Sequence, residues 1–199
     1  LKDNGYTPWV FHGYKKEFWN RANAYPNQGF ERFISEEDYK VGDTIGLGIN
    51  DEDFFDQSIS YIKGMQKPYY AFAISLSSHN PFNLPKKYQG IKLKEEHKDT
   101  LFGNYLQAVH YADKALGQFI DDLKKEGLWI AGASMEGEVY YGKDMTGPIA
   151  LVIGSEGEGI GHLVKENCDF LVSIPMKGKI SSLNAAVSAA IILNTAGCP

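Results

Sequence analysis

The 199 residues are 43% apolar, ordinary for a globular protein and enough for one large domain or two small ones. The formal charge of −5 divides into −2 over residues 1–128 (16 Lys and Arg against 18 Asp and Glu) and −3 over residues 129–199 (4 against 7). Neither part therefore carries the basic field that drives nucleic-acid binding through phosphate neutralisation. Cys168 and Cys198 stand far from any CxxC or Cys/His metal spacing, which argues against a disulfide framework or a zinc site. There is no run of about 18 apolar residues and no signal-peptide pattern, so the chain as written is expected to stay in the cytosol.

LKDNGY at the start reads as a helix end with Gly5 as its stop, which implies that a domain begins upstream. YTPWVF follows as a short strand, with Pro8 placing it at a strand start or an edge, and HGYKKEFWNR then turns from loop to helix. PYYAFAISL, Pro68 to Leu76, is a second strand rich in aromatic and aliphatic residues, closed by the loop SSHNPF. His79 is thereby expected just past a strand's carboxyl end, where open α/β sheets bind ligands. From Thr100 to Leu128 the spacing of Phe102, Leu106, Val109, Ala112, Leu116, Phe119 or Ile120, and Leu123 predicts a helix with one buried face, stopped by Gly127. Asp113, Lys114, Asp121, Asp122, Lys124 and Lys125 read as its solvated face, and His97 and His110 as ordinary surface or satisfied histidines.

LKDNGYTPWVFHGYKKEFWNR, GFERFISEEDYK, FFDQSISYI, YYAFAISLSSHNPF and YLQAVHYADKALGQFIDDLKKEGL together resemble the extracellular catalytic domain of lipoteichoic acid synthase, of the sulfatase/alkaline phosphatase superfamily. The resemblance runs through residues 1–128 and implies a partial sulfatase-like α/β sandwich. In that family a metal-activated threonine takes glycerol phosphate from phosphatidylglycerol and passes it to a growing polymer. His12, Trp19, Arg21 and His79 match the positions that hold the glycerol-phosphate group. A guanidinium fork suits phosphate oxygens, imidazoles donate further hydrogen bonds and an indole supplies a flat wall. On residue type alone this scattered set reads as structural. The resemblance puts the threonine nucleophile and the ligands of a divalent metal such as manganese outside the matched segment. Binding without turnover is therefore expected of it.

Past Gly127 the texture changes. TGPIALVIG, Thr146 to Gly154, and FLVSIP, Phe170 to Pro175, are continuous apolar runs of the kind found in parallel strands covered on both faces. AAVSAAIIL predicts a helix apolar almost all round, hence buried, with Ser181 or Ser182 able to cap it. GSEGEGIG between the strands lacks GK[ST] and the GxGxxG spacing, so it is neither a phosphate loop nor a dinucleotide fingerprint.

The string GPIALVIGSEGEGIGHLVKENCDFLVSIPMKGKISSLNAAVSAAIIL resembles the second and third motifs of the SpoU/TrmH class of SPOUT RNA 2′-O-ribose methyltransferases, a likeness covering residues 128–193. It implies part of an α/β trefoil-knot domain, usually a homodimer, that binds S-adenosyl-L-methionine and acts on RNA. By motif position Gly154, Ile174 and Leu183 surround the cofactor, and Glu156, Ser182 and Asn184 stand near the reacting groups. Glycine permits close backbone approach, the two aliphatic side chains would wall the adenine, and transfer would rest on alignment of the ribose oxygen with the methyl. The family's first motif, with its activating arginine, belongs upstream of residue 128, and residues 129–199 contain no arginine.

DDLKKEGLWIAGASMEGEVYYG joins the two likenesses, with a helix end and a following strand plausible in both families. The chain is thus expected to be α/β throughout, a synthase-like fragment over 1–128 and a SpoU-type fragment over 129–199, meeting near Gly127–Trp129. The leading expectation is a fusion of enzyme fragments that keep partial ligand binding. A functional methyltransferase with a recruited N-terminal attachment and a non-catalytic phosphate-binding or interaction module are the alternatives. An apolar terminal helix short of neighbours also predicts poor solubility or association.

Overall fold

The computed structural model describes residues 2–154, 159–176 and 183–196. It divides into two compact units, Leu1–Asp122 and Leu123–Pro199.

In the first unit, β1 (Thr7–His12) is the middle of a parallel three-stranded sheet. Its neighbours are β2 (Arg32–Ile34) on one side and, further along the chain, a strand over Tyr69–Ile74 on the other. Pro8 sits at the second residue of β1, where its missing N–H costs least, and Val10, Phe11 and His12 are buried. The short α1 (Arg21–Asn27) lies between β1 and β2. A two-stranded antiparallel ribbon, β3 (Thr44–Ile45) and β4 (Gly48–Ile49), leads into α2 (Asp51–Lys63).

Sequence reasoning did not identify α2, although its start is locally encoded. Asn50 caps it by accepting the N–H of Asp53 at 3.0 Å, and three acidic residues fill the first turn. The third strand of the sheet, β5 (Tyr69–Ile74), occupies the run expected to be a strand, and its register sets His12 opposite Ile74.

The helix α3 (Leu101–Lys125) forms where the spacing predicts, but its buried face is rotated from the expected one, which keeps Phe119 inside and leaves Leu106, Ala112, Ile120 and Leu123 half-buried. Gly103, Gln107, Ala108, Tyr111, Ala115 and Phe119 point inward, whereas Phe102, Val109 and Leu116 are exposed. Two apolar stripes run along this helix, and the sequence pattern could not say which one meets the core. The choice follows polar anchors. Tyr111 donates to Asn50 Oδ1 at 3.0 Å, and the Gln107 side chain bonds the backbone of Gly90 and Ile91. Gly103 lies so close to the His97 carbonyl that any larger residue would clash there.

Gly127, at φ +92°, ends the helical region in the left-handed conformation that glycine adopts freely. The second unit then builds on β6 (Trp129–Val139), the central strand of a parallel sheet ordered β7 (Ile149–Val152), β6, β8 (Phe170–Ser173). Val172 pairs with both Ala133 and Glu138, so Ser134–Gly137 bulge out of β6. The expectation that TGPIALVIG and FLVSIP are doubly covered is corrected. Both are parallel strands as expected, but their faces are not fully covered, since every residue of β7 is only half-buried and in β8 only Val172 is buried.

Asp169 ties the start of this unit together. Its carboxylate accepts the Ile130 N–H at 2.7 Å and the Lys124 ammonium at 3.0 Å, so Lys124 is not simply solvated. After α4 (His162–Asn167) and β8, the terminal α5 (Ala185–Ala196) departs from the all-round burial expected of it. Ile192 is 1% exposed against Met145 and Val172, while Ala186, Val187, Ala190 and Leu193 face outward. Ser181 and Ser182 lie outside the described residues. Asn184 caps this helix, accepting the N–H of Ala186 at 3.0 Å and of Val187 at 3.4 Å. No helix of the described residues is long and apolar enough to cross a membrane.

Candidate functional site

In the first unit the carboxyl ends of β1 and β5 carry the expected phosphate-binding residues. His12 ends β1 and is 1% exposed. Its Nδ1 lies 3.2 Å from the Ile74 carbonyl oxygen. A carbonyl only accepts, so Nδ1 holds the proton and Nε2 presents a lone pair. Burial pushes this imidazole down to about 4, the bond to Ile74 opposes the shift and the Arg21 guanidinium beside it adds to it. Neutral His12 therefore presents Nε2 as an acceptor.

Trp19 and Asn20 are both left-handed, at φ 55° and 56°, a conformation costly for side chains of their size. The Lys15–Ala22 turn holds them through backbone bonds from Phe18 to Lys15, Asn20 to Glu17 and Ala22 to Lys16. The outcome is an indole 73% exposed, stacked on Phe18 at 5.3 Å between centroids. The Arg21 guanidinium stands 5.2 Å from the same ring. Arg21 Nη1 and His12 Nε2 are both buried with no hydrogen-bond partner. His12, Trp19 and Arg21 are thus brought together.

His79 lies in the loop after β5, exposed, its own N–H bonded to the Leu76 carbonyl and its Nδ1 2.7 Å from the Asn80 carbonyl oxygen. The same tautomer argument applies: in the neutral form of the ring Nδ1 holds the proton against that carbonyl and Nε2 is the acceptor.

Sequence reasoning passed over Asp51. It is the first residue of α2 and 1% exposed. Its Oδ1 accepts the N–H groups of Leu76 and Ser77, each at 3.0 Å, and its own N–H donates to Ser77 Oγ at 3.0 Å. Burial raises this carboxyl above its ordinary range although the Leu76 and Ser77 bonds pull the other way. Its partners are 25 and 26 residues away, so no local pattern could have revealed it.

In the second unit, β7 and β8 run parallel on either side of β6, which sets Gly154 and Ile174 just past the carboxyl ends of parallel strands. Ile153 and Ile174 pack on the same Met145–Val172–Ile192 cluster. A Cβ on Gly154 would come within 2.0 Å of the Gly159 carbonyl carbon, so the backbone of Gly159 occupies the room that this glycine leaves. Leu183 is half-buried before α5, and the exposed Asn184 spends its side-chain oxygen on the helix cap. Glu156 and Ser182 lie outside the described residues.

The SpoU rRNA Methylase family model matches residues 65–194. Lipoteichoic acid synthase 1 of Bacillus subtilis (strain 168) is 39% identical over 127 residues, 63% of this chain and 20% of the synthase. The crystal structure of the lipoteichoic acid synthase LtaP from Listeria monocytogenes superposes with a TM-score of 0.59 at 40% identity, covering 64% of this chain and 32% of LtaP. The SpoU methyltransferase AviRb from Streptomyces viridochromogenes, solved in complex with AdoMet, is 30% identical over 46% of this chain and 43% of its own, with a TM-score of 0.38. The chain spans about a fifth of the length of the curated synthases it matches. Synthase-like and SpoU-like regions are therefore both present in one polypeptide.

Proposed function

The chain belongs to the SpoU rRNA methylase family, and from that premise and its synthase-like region we propose that it joins two ligand-binding fragments. Residues 1–128 grip a glycerol-phosphate group and residues 129–199 grip S-adenosyl-L-methionine. Turnover is absent from both.

One observation carries the first half: Arg21 Nη1 and His12 Nε2 are a buried donor and a buried acceptor without partners. Leaving such groups unsatisfied is costly, and each case calls for an explanation. A polyol phosphate, free or as the head group of phosphatidylglycerol, answers both needs. Its anionic oxygens accept from the guanidinium, and its hydroxyl hydrogens suit the lone pairs of His12 and His79. The exposed Trp19 indole supplies a flat apolar wall beside the Arg21 guanidinium. Inorganic phosphate can also meet both needs, through its anionic oxygens and its P–OH group near neutral pH, but it brings no carbon chain to lie on the Trp19 indole.

Calorimetric titration with sn-glycerol phosphate should show saturable binding, tighter than that of inorganic phosphate and lost in Arg21→Ala. Equal affinity for the two ligands, or silence, overturns the reading.

Among the described residues no three His, Cys, Asp or Glu side chains cluster as a divalent metal requires, so they do not fit the manganese that the likeness implies. The 199 residues are accordingly proposed to bind without transferring. No manganese-dependent release of glycerol phosphate from phosphatidylglycerol vesicles is expected, and robust release refutes this.

For the second half, Ile174 and Leu183 are apolar and half-buried, the character needed to wall an adenine. S-adenosylmethionine, when bound, supplies an electrophilic methyl group on a sulfonium. Ile174 is held in place by the Met145–Val172–Ile192 cluster, and Asn184 fixes the start of α5 beside Leu183. An RNA partner, a knotted topology and a homodimer are part of the same reading. Titration with S-adenosylmethionine tests it, and the absence of binding removes this half. A second reading, a working RNA methyltransferase, is favoured by the breadth of the family match over residues 65–194. Methyl incorporation into ribosomal RNA by the chain would establish it.

A further inference from the structure

We propose that Asp51 is the positioning residue of the His79 loop. The proposal rests on the reading of His79 as a residue that binds the polyol phosphate.

Two consecutive hydrogen bonds lead from one side chain to the histidine. Asp51 Oδ1 accepts the Leu76 N–H at 3.0 Å, and the Leu76 carbonyl accepts the His79 N–H at 2.9 Å. A second bond from Ser77 N–H to the same oxygen, and the return bond from Asp51 N–H to Ser77 Oγ, close a reciprocal clamp. Asp51 and Ser77 are each 1% exposed, so the clamp is shielded from competing water.

The clamp joins the first turn of α2, itself fixed by the Asn50 cap, to the segment leaving β5. That segment begins at Ile74, whose carbonyl sets the His12 tautomer, and it continues to His79. His12 is held independently by the β1–β5 ladder, whereas His79 lies beyond the ladder's end. The Phe82 N–H bonds the His79 carbonyl at 3.2 Å within the loop, and Asp51 ties that local turn to the first turn of α2. The role needs an acceptor at the position of Oδ1 and no charge, so an asparagine carbonyl there should serve.

The decisive measurement is the tautomer of each imidazole in the unliganded 199-residue chain, read from ring nitrogen chemical shifts, with His12 as the internal control. Asp51→Ala should move His79 from the Nδ1–H form towards the Nε2–H form that an unrestrained ring prefers, leaving His12 unchanged. Asp51→Asn should keep both rings as in the wild type. If Asp51→Ala does not fold, Asp51→Glu, which keeps a carboxylate but displaces it by a methylene, should show the same selective change at His79. Unchanged His79 in a folded Asp51→Ala or Asp51→Glu chain overturns the proposal. So does an Asp51→Asn chain in which His79 shifts.

A binding arm separates positioning from general damage. Asp51→Ala should weaken sn-glycerol phosphate about tenfold in the wild-type background and cause no further loss once His79→Ala is present. An equal loss in both backgrounds counts against action through His79. If the wild-type chain binds no glycerol phosphate, the functional reading fails, and the tautomer measurement still decides Asp51.

Discussion

His12 shows how a single buried group makes stability depend on pH. The ring is neutral in the fold, with its pKa lowered from 6.5 to about 4. Between these values the unfolded chain binds the proton and the native chain does not. The contribution of His12 is therefore complete above pH 6.5 and is lost as the pH falls towards 4. A shift of this size corresponds to about 3 kcal/mol. Urea unfolding at pH 7.5 and 4.5 should show this loss in the wild type and a smaller one in His12→Asn, and equal losses would reject it. Gly154 is constrained by volume rather than charge, since its absent Cβ would meet the backbone of Gly159 and Ile160. Gly154→Ala is expected to destabilise the second unit by roughly 1–3 kcal/mol, the range for overpacking, as followed by the fluorescence of Trp129 during denaturation.

Among the elements, α5 and α3 show why apolar content does not fix burial. Asn184 starts α5 by capping the N–H groups of Ala186 and Val187. Asn184→Ala should cost about 1 kcal/mol while Asn184→Asp stays near neutral, a contrast that thermal melts will resolve. Loss of S-adenosylmethionine affinity in Asn184→Ala with no change in melting would instead assign the side chain a role at the ligand. The exposed stripe of α3, with Phe102 and Leu116 at its ends, makes no comparable demand on stability. Val109→Glu combined with Leu116→Lys should change the unfolding free energy by less than about 0.5 kcal/mol and reduce concentration-dependent light scattering.

For the molecule as a whole, the division between Asp122 and Leu123 falls inside the last turn of α3 rather than at the glycine that ends it. Lys124 sits on the later side of that division, and its bond to Asp169 anchors the helix end to the sheet of the second unit. Two separate contact networks predict two cooperative transitions. Calorimetry should resolve two heat-absorption peaks, with Gly154→Ala lowering only one of them. A single peak that shifts as a whole would show that the units unfold together.

The sequence alone determined what is encoded locally: the strands at Thr7–His12 and Tyr69–Ile74 and the long helix with its stop at Gly127. Those features follow from periodicity and turn residues, which need only near neighbours in the chain. Tertiary structure decided which stripe of α3 meets the core, because Tyr111 and Gln107 bond to groups distant in sequence. It also left the faces of β7 and β8 not fully covered, turned half of α5 outward and set the tautomer of His12 through Ile74. Asp51 belongs wholly to that second class, since a carboxylate becomes a clamp only when folding brings Leu76 and Ser77 against it.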